Sequence, residues 1–192
     1  MKRMSAGRTF LIGLAFYLMA ITVIAVLGYF FGSGDPSLVR PDEASDRLRE
    51  FHHNALHNTK FILLHNLSVS VRLLALQLLP LFGLILASGN LGLSLGLLIR
   101  SVTIGSTLPS FSMLMLVLPH GIPEYAGFIL MQNSVTNLYL AFFLRLFKIR
   151  VDLKRAGLLS VASLAGGAAL IAIAALVESY ATPAIAERLL QP

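Results

Sequence analysis

Residues 9–31 read TFLIGLAFYLMAITVIAVLGYFF and carry no charge. At 1.5 Å of rise per residue, a helix of this length crosses roughly 30 Å of hydrocarbon. Lys2, Arg3 and Arg8 precede it. A basic start before an apolar run also describes a secretory signal. This run is longer than an ordinary signal core, however, and no clear A-x-A cleavage site follows it. A retained membrane anchor is therefore expected.

The rest of the chain agrees. Of 192 residues, 56% are hydrophobic and 12% charged, against roughly 45–50% and 25% in an average soluble domain. The mean hydropathy is +0.79. So few charges cannot cover a soluble domain of this size, and disorder demands the opposite composition. The fold class expected is all-α, a polytopic helical membrane protein occupying residues 1–192 as one membrane domain. With no cysteine, disulfides, thiolate metal sites and Cys nucleophiles are excluded.

The charges that exist are clustered. Lys and Arg number 15 and Asp and Glu 9, for a net +6. Such a balance could suggest a nucleic-acid partner, but the placement argues against one. Arg145, Lys148, Arg150, Lys154 and Arg155 surround one short loop, and the other cluster precedes the first span. The positive-inside rule puts both in the cytoplasm. The partners expected are the lipid bilayer and other membrane or envelope proteins, with no nucleic acid.

Residues 61–119 fit two long helices or three short ones, and the parity set by the basic clusters favours two, so five spans are expected, at about 9–31, 61–86, 90–108, 124–147 and 156–178. A short apolar piece at 110–118 lies between the third and fourth, and the reversal between the second and third is expected near Ser88-Gly89-Asn90. Residues 32–60 form an outer polar segment and 148–155 the cytoplasmic basic loop. That parity leaves the N-terminus inside and the C-terminus outside. Within the outer segment, Leu48, Phe51, Ala55 and Leu56 form a helical stripe. An amphipathic helix on the membrane surface and a solvated connector both fit it.

Small residues mark close helix approach. Gly92-x-x-x-Gly96 is one such face, and Ala162 with Gly166 and Gly167 is another. Gly92, Gly96, Ala162 and Gly166 are the residues expected at an interface between copies of the chain. Asn133 and Asn137, one turn apart, are expected to line a polar seam.

Ionisable groups inside a span cost on the order of 2.5–3.5 kcal/mol on insertion scales. Arg72 and Arg100 are expected near mid-span, Glu124 at the opening of the fourth span and Glu178 at the close of the fifth. Pairing of the two arginines with the two glutamates is one expectation, and snorkelling of each arginine to the nearer interface is the other. Pro119-His120-Gly121-Ile122-Pro123-Glu124 is the densest polar cluster. Its prolines predict a non-helical entry, with Pro123 at the first helical position and Glu124 in the first turn. His120 is left unexplained by that account. With Glu124 it would form a proton-transfer or ligand pair, or contact a partner.

No cofactor and no metal site are assigned. His53 and His57 would share a helix face at a spacing that can bind zinc. The metalloprotease form needs Glu directly after its first His, and Asn54 stands there.

Leu64-His65-Asn66-Leu67, Leu118-Pro119-His120-Gly121-Ile122-Pro123-Glu124 and Ala174-Ala175-Leu176-Val177-Glu178-Ser179-Tyr180-Ala181-Thr182-Pro183 occur in that order. Together they resemble the stage II sporulation protein M family of prokaryotic integral membrane proteins, over about residues 50–187. Asn90-Leu91-Gly92 departs from the adjacent Asn-Gly of many relatives. The resemblance implies a multi-pass helical protein that acts as a scaffold and not as an enzyme. In spore formers the named member works in engulfment, in a membrane complex with peptidoglycan-degrading enzymes. Asn66, Pro119, His120, Gly121, Glu124 and Glu178 match recurrent family positions. The function expected is a non-enzymatic scaffold that assembles or anchors cell-envelope proteins. A transporter or permease-like subunit is the alternative, and an intramembrane hydrolase the third reading.

Overall fold

The computed structural model describes residues 4–31, 54–77, 79, 82–100, 103 and 110–190. Its elements are α1 (Ala6–Phe31), α2 (Ala55–Gln77), α3 (Phe82–Arg100), α4 (Ser110–Leu146), α5 (Leu153–Leu176), a π-helical turn (Val177–Ala181) and α6 (Thr182–Leu190). The protein is an all-α polytopic membrane protein. Ala6–Phe31, Ala55–Gln77, Leu114–Leu146 and Leu153–Leu189 are each long and apolar enough to cross a membrane, and Ile85–Arg100 is a shorter apolar helix.

The distribution of polarity is that of a bundle dissolved in lipid. Large apolar side chains face outward, among them Phe16, Phe30, Phe61, Leu64, Phe142 and Leu158. Polar side chains face inward, and Gln132, Asn133 and Asn137 are fully buried. In hydrocarbon an outward Leu costs nothing, while an inward amide finds partners on neighbouring helices.

Two helix pairs build the core. α1 and α3 run parallel. Gly92 lies against the carbonyl oxygen of Ile21, Gly96 against that of Ala25, and Gly28 against Leu93. α4 and α5 run antiparallel. Gly127 meets Gly167, Ser163 Oγ donates to the carbonyl of Leu130 at 2.7 Å, and Asn137 Nδ2 donates to Ala156 and Ser160. Tyr17, Ile21, Leu73, Leu91, Phe128 and Ile171 join the pairs in one apolar cluster. Gly92 and Gly96, expected between copies of the chain, are thus occupied by α1 of the same chain.

The first span and the basic loop meet at one end. The amide of Met4 donates to the carbonyl of Arg150 at 3.1 Å. Ala6, Ala141, Val151 and Ala156 form a small cluster there. Asp152 caps α5, its carboxylate accepting from the amide of Arg155 at 3.1 Å. Arg8 and the loop cations therefore share one face of the bundle.

Several expected boundaries are corrected. α3 runs through Ser88-Gly89-Asn90, and the break falls instead between Gln77 and Phe82. Gly83 packs there against the backbone of Leu76 and Gln77, closer than any Cβ would permit. That contact brings the start of α3 against the end of α2. α2 begins at Ala55 and not at 61, because residues 55–60 continue its first turns. Of the apolar stripe proposed in the outer segment, Leu48 and Phe51 lie outside the described residues.

The larger correction concerns the prolines. α4 is continuous from Ser110 to Leu146, with Pro119 and Pro123 inside it. The expected piece at 110–118 and the expected start at 124 are one helix. Each proline removes a single i→i−4 bond, and their spacing of four puts both losses on one stripe. A membrane helix tolerates this where neighbours supply partners. The fifth span likewise does not end at Glu178. It passes through the π turn into α6. Pro183 is the second residue of α6, directly after the π turn.

Candidate functional site

The continuity of α4 sets the site. With no break at Pro123, His120 and Glu124 stand one turn apart on the same face. Glu178 comes from the π turn that follows α5. This turn carries one residue more than an α turn, which shifts the register of the face that Glu178 presents. α4 packs along α5 and touches both the π turn and α6.

The result is a cluster of three titratable side chains. His120, Glu124 and Glu178 each place a ligand-type atom within 4.8 Å of the others, and all three are half-buried. Among the described residues no hydrogen bond or ion pair joins them directly, and no Lys or Arg pairs with either carboxylate. His120 Nδ1 shares a hydrogen bond with the hydroxyl of Thr182 at 3.2 Å, at the start of α6. That contact orients the ring, and among the described residues no hydrogen bond is made to Nε2. Gly121 adds room and little else, since a Cβ there would meet Val117 Cγ1 at 3.6 Å, an ordinary contact.

The other sequence candidates sit elsewhere. Arg100 Nη1 donates to the carbonyl of Tyr29 at 2.6 Å and, more weakly, to that of Phe30 at 3.5 Å. It satisfies the C-terminal carbonyls of α1, which an unaided helix end leaves open. Arg72 is exposed on α2. The expected pairing of these arginines with Glu124 and Glu178 is not formed. Arg72 lies about 7.5 Å of helical rise from Gln77, the end of α2 nearer the basic loop. Asn66 is buried on α2, and its carbonyl accepts from Ser70 Oγ at 2.9 Å. His57 is exposed on α2, and His53 lies outside the described residues.

Sequence reasoning missed Thr182 and the π turn. The signal was Thr182-Pro183 within the third quoted motif, because a proline near a supposed helix end also fits the restart of a helix. Gln77, Gln132, Asn133 and Asn137 are legible in the sequence as groups that can hydrogen-bond between helices, and Tyr17 is the member of this buried set that it did not reveal. Tyr17 Oη, both polar atoms of Gln77, Gln132 Oε1, both polar atoms of Asn133 and Asn137 Oδ1 are buried without a hydrogen-bond partner among the described residues.

No curated protein and no solved structure matches the chain. The sequence profile of the family described as Stage II sporulation protein M matches residues 9–183. That is most of the chain, it includes every residue of the His120 cluster, and the chain belongs to this family.

Proposed function

We propose that the protein is a non-enzymatic membrane scaffold that assembles or anchors cell-envelope proteins. The observation that carries the reading is the division among its small residues. Gly28, Gly92, Gly96, Gly127 and Gly167 are consumed by contacts within the chain, whereas a Cβ on Gly166 would meet nothing within 4 Å. Ala162, Ala165 and Ala169 are exposed on the same helix. A small-residue strip left open toward lipid lets another helix approach closely, as small-xxx-small faces do. A second copy of the chain and a different envelope protein would both use it. The basic end faces the cytoplasm under the positive-inside rule, with the C-terminus outside.

Affinity purification in mild detergent tests this. Wild-type chain should recover defined membrane or envelope proteins, and Gly166→Leu should lose them while remaining folded. Recovery of a partner-free oligomer under several growth conditions would overturn the scaffold reading.

The unpartnered polar atoms of Tyr17, Gln77, Gln132, Asn133 and Asn137 favour a second reading, a conduit for a small polar solute or ion. Buried polar groups inside a span commonly mark such paths. Proteoliposome flux that Asn133→Leu abolishes would support it, and absence of flux above empty vesicles would remove it.

A further inference from the structure

We propose that His120, Glu124 and Glu178 bind one divalent transition-metal ion, of the zinc or manganese class. This site ties α4 to the π turn at the end of the bundle remote from the basic loop. It stands apart from the scaffold reading and does not depend on it.

Four observations meet at this point. The first is the donor set. One imidazole and two carboxylates suit Zn²⁺, Mn²⁺ or Fe²⁺, and three protein ligands leave a fourth position for water or a partner group.

The second is the spacing. Donor atoms no more than 4.8 Å apart place a common centre at most about 2.8 Å from each. Contraction of well under 1 Å per ligand then reaches zinc–ligand lengths of about 2.0–2.2 Å. Direct hydrogen bonds would have closed this gap, and none is made.

The third is charge. Two carboxylates side by side in a membrane-spanning bundle need compensation, and buried charges are paired or coordinate metals. The arginines that could have supplied it point elsewhere, Arg100 to the carbonyl of Tyr29 and Arg72 outward. A dication with a neutral imidazole balances the pair.

The fourth is the support. A ligating histidine usually engages its second ring nitrogen with an outer partner, which fixes its orientation. The Thr182 hydroxyl engages Nδ1 in this way, so Nε2 is the nitrogen assigned to the metal. The π turn, a deviation often found at functional positions, presents Glu178.

The test uses the full chain in detergent, free of any polyhistidine tag, stripped with EDTA and titrated calorimetrically with Zn²⁺ and with Mn²⁺. One equivalent should bind saturably for at least one of the two. Glu124→Gln and Glu178→Gln keep the side-chain shape and should each weaken binding at least about a hundredfold. His120→Ala should do the same, and if it does not fold, the two glutamine variants carry the test. Thr182 is a positioning residue: Thr182→Val should cost roughly tenfold in affinity, and Thr182→Ser should restore it. His57→Ala should bind as wild type. Bound Zn²⁺ or Mn²⁺ should raise the thermal midpoint of wild type and not of Glu178→Gln. No saturable equivalent with either ion, or stoichiometric binding that survives both glutamine substitutions, would overturn the proposal.

Discussion

Gly127 on α4 and Gly167 on α5 meet backbone to backbone. A Cβ on Gly127 would lie 2.8 Å from the carbonyl oxygen of Gly167, and one on Gly167 would lie 2.6 Å from that of Gly127. Backbone cannot yield as a flexible side chain can. Gly167→Ala must therefore push the two helices apart, at a cost of about 1–3 kcal/mol for overpacking. Gly166→Ala, with open space at its Cβ, should change stability by less than about 0.5 kcal/mol. Thermal or denaturant unfolding of both variants in one detergent measures the contrast. Equal midpoints would refute the contact. The same separation should loosen the His120 cluster, because α4 and α5 deliver its two sides.

Asn137 is fully buried and clamps the other end of this helix pair. Its Nδ2 donates to the carbonyl of Ala156 at 3.0 Å and to Ser160 Oγ at 2.9 Å. Interhelical hydrogen bonds in membranes contribute about 0.6–2 kcal/mol. Asn137→Leu removes both and should fall near the upper part of that range. Ser160→Ala removes one and should cost less. A double-mutant cycle between the two should show coupling, since they share a bond. Additive effects would show that the bond contributes nothing.

Arg100 serves α1 and not the glutamates. Arg100→Leu deprives the Tyr29 carbonyl of its charged donor and should cost about 1.5–3 kcal/mol. Arg72→Gln, on an exposed position, should stay within about 0.5 kcal/mol of wild type. A cycle combining Arg100→Gln with Glu178→Gln should be additive within about 0.5 kcal/mol, because the two side chains share no partner. Charge reversal tells the same story in cells: Glu124→Arg or Glu178→Arg should not restore accumulation of Arg72→Glu. Rescue by either would reinstate an arginine–glutamate pair.

The apolar runs were readable because lipid leaves little freedom. A span needs a long, nearly charge-free stretch, and four of the helices satisfy that plainly. The ends of the spans were not readable by rules drawn from water. Pro119 and Pro123 would terminate a soluble helix, yet α4 absorbs both. Ser88-Gly89-Asn90 has the residues of a turn but lies within α3, and the reversal depends on a backbone contact at Gly83. His120 and Glu124 stood out by local density. Their union with Glu178 needed α4 and α5 to lie antiparallel, which no local pattern states. The sequence puts two arginines and two glutamates in or beside the spans but says nothing of their heights: Arg100, expected near mid-span, is the last residue of α3. Arg100 therefore found a carbonyl and not a carboxylate.

The meeting of Met4 with Arg150 makes a topological prediction that the absence of native cysteine renders clean. The amide of Met4 donates to Arg150 at 3.1 Å, so the start of α1 and the α4–α5 loop share one side of the membrane. With no cysteine in the chain, Ser5→Cys and Lys148→Cys each report a single site. A membrane-impermeant maleimide should label both from the same side. If the basic cluster obeys the positive-inside rule, that side is the cytoplasm, and intact cells should protect both. Glu187→Cys, exposed on α6 at the far end of the α5–α6 crossing, should be labelled in intact cells. Labelling of Ser5→Cys and Lys148→Cys from opposite sides would contradict the fold itself. Labelling of both from outside would keep the fold and invert the protein. The two outcomes separate because the Met4–Arg150 contact fixes only that the sites lie together, while the charge of the loop decides where.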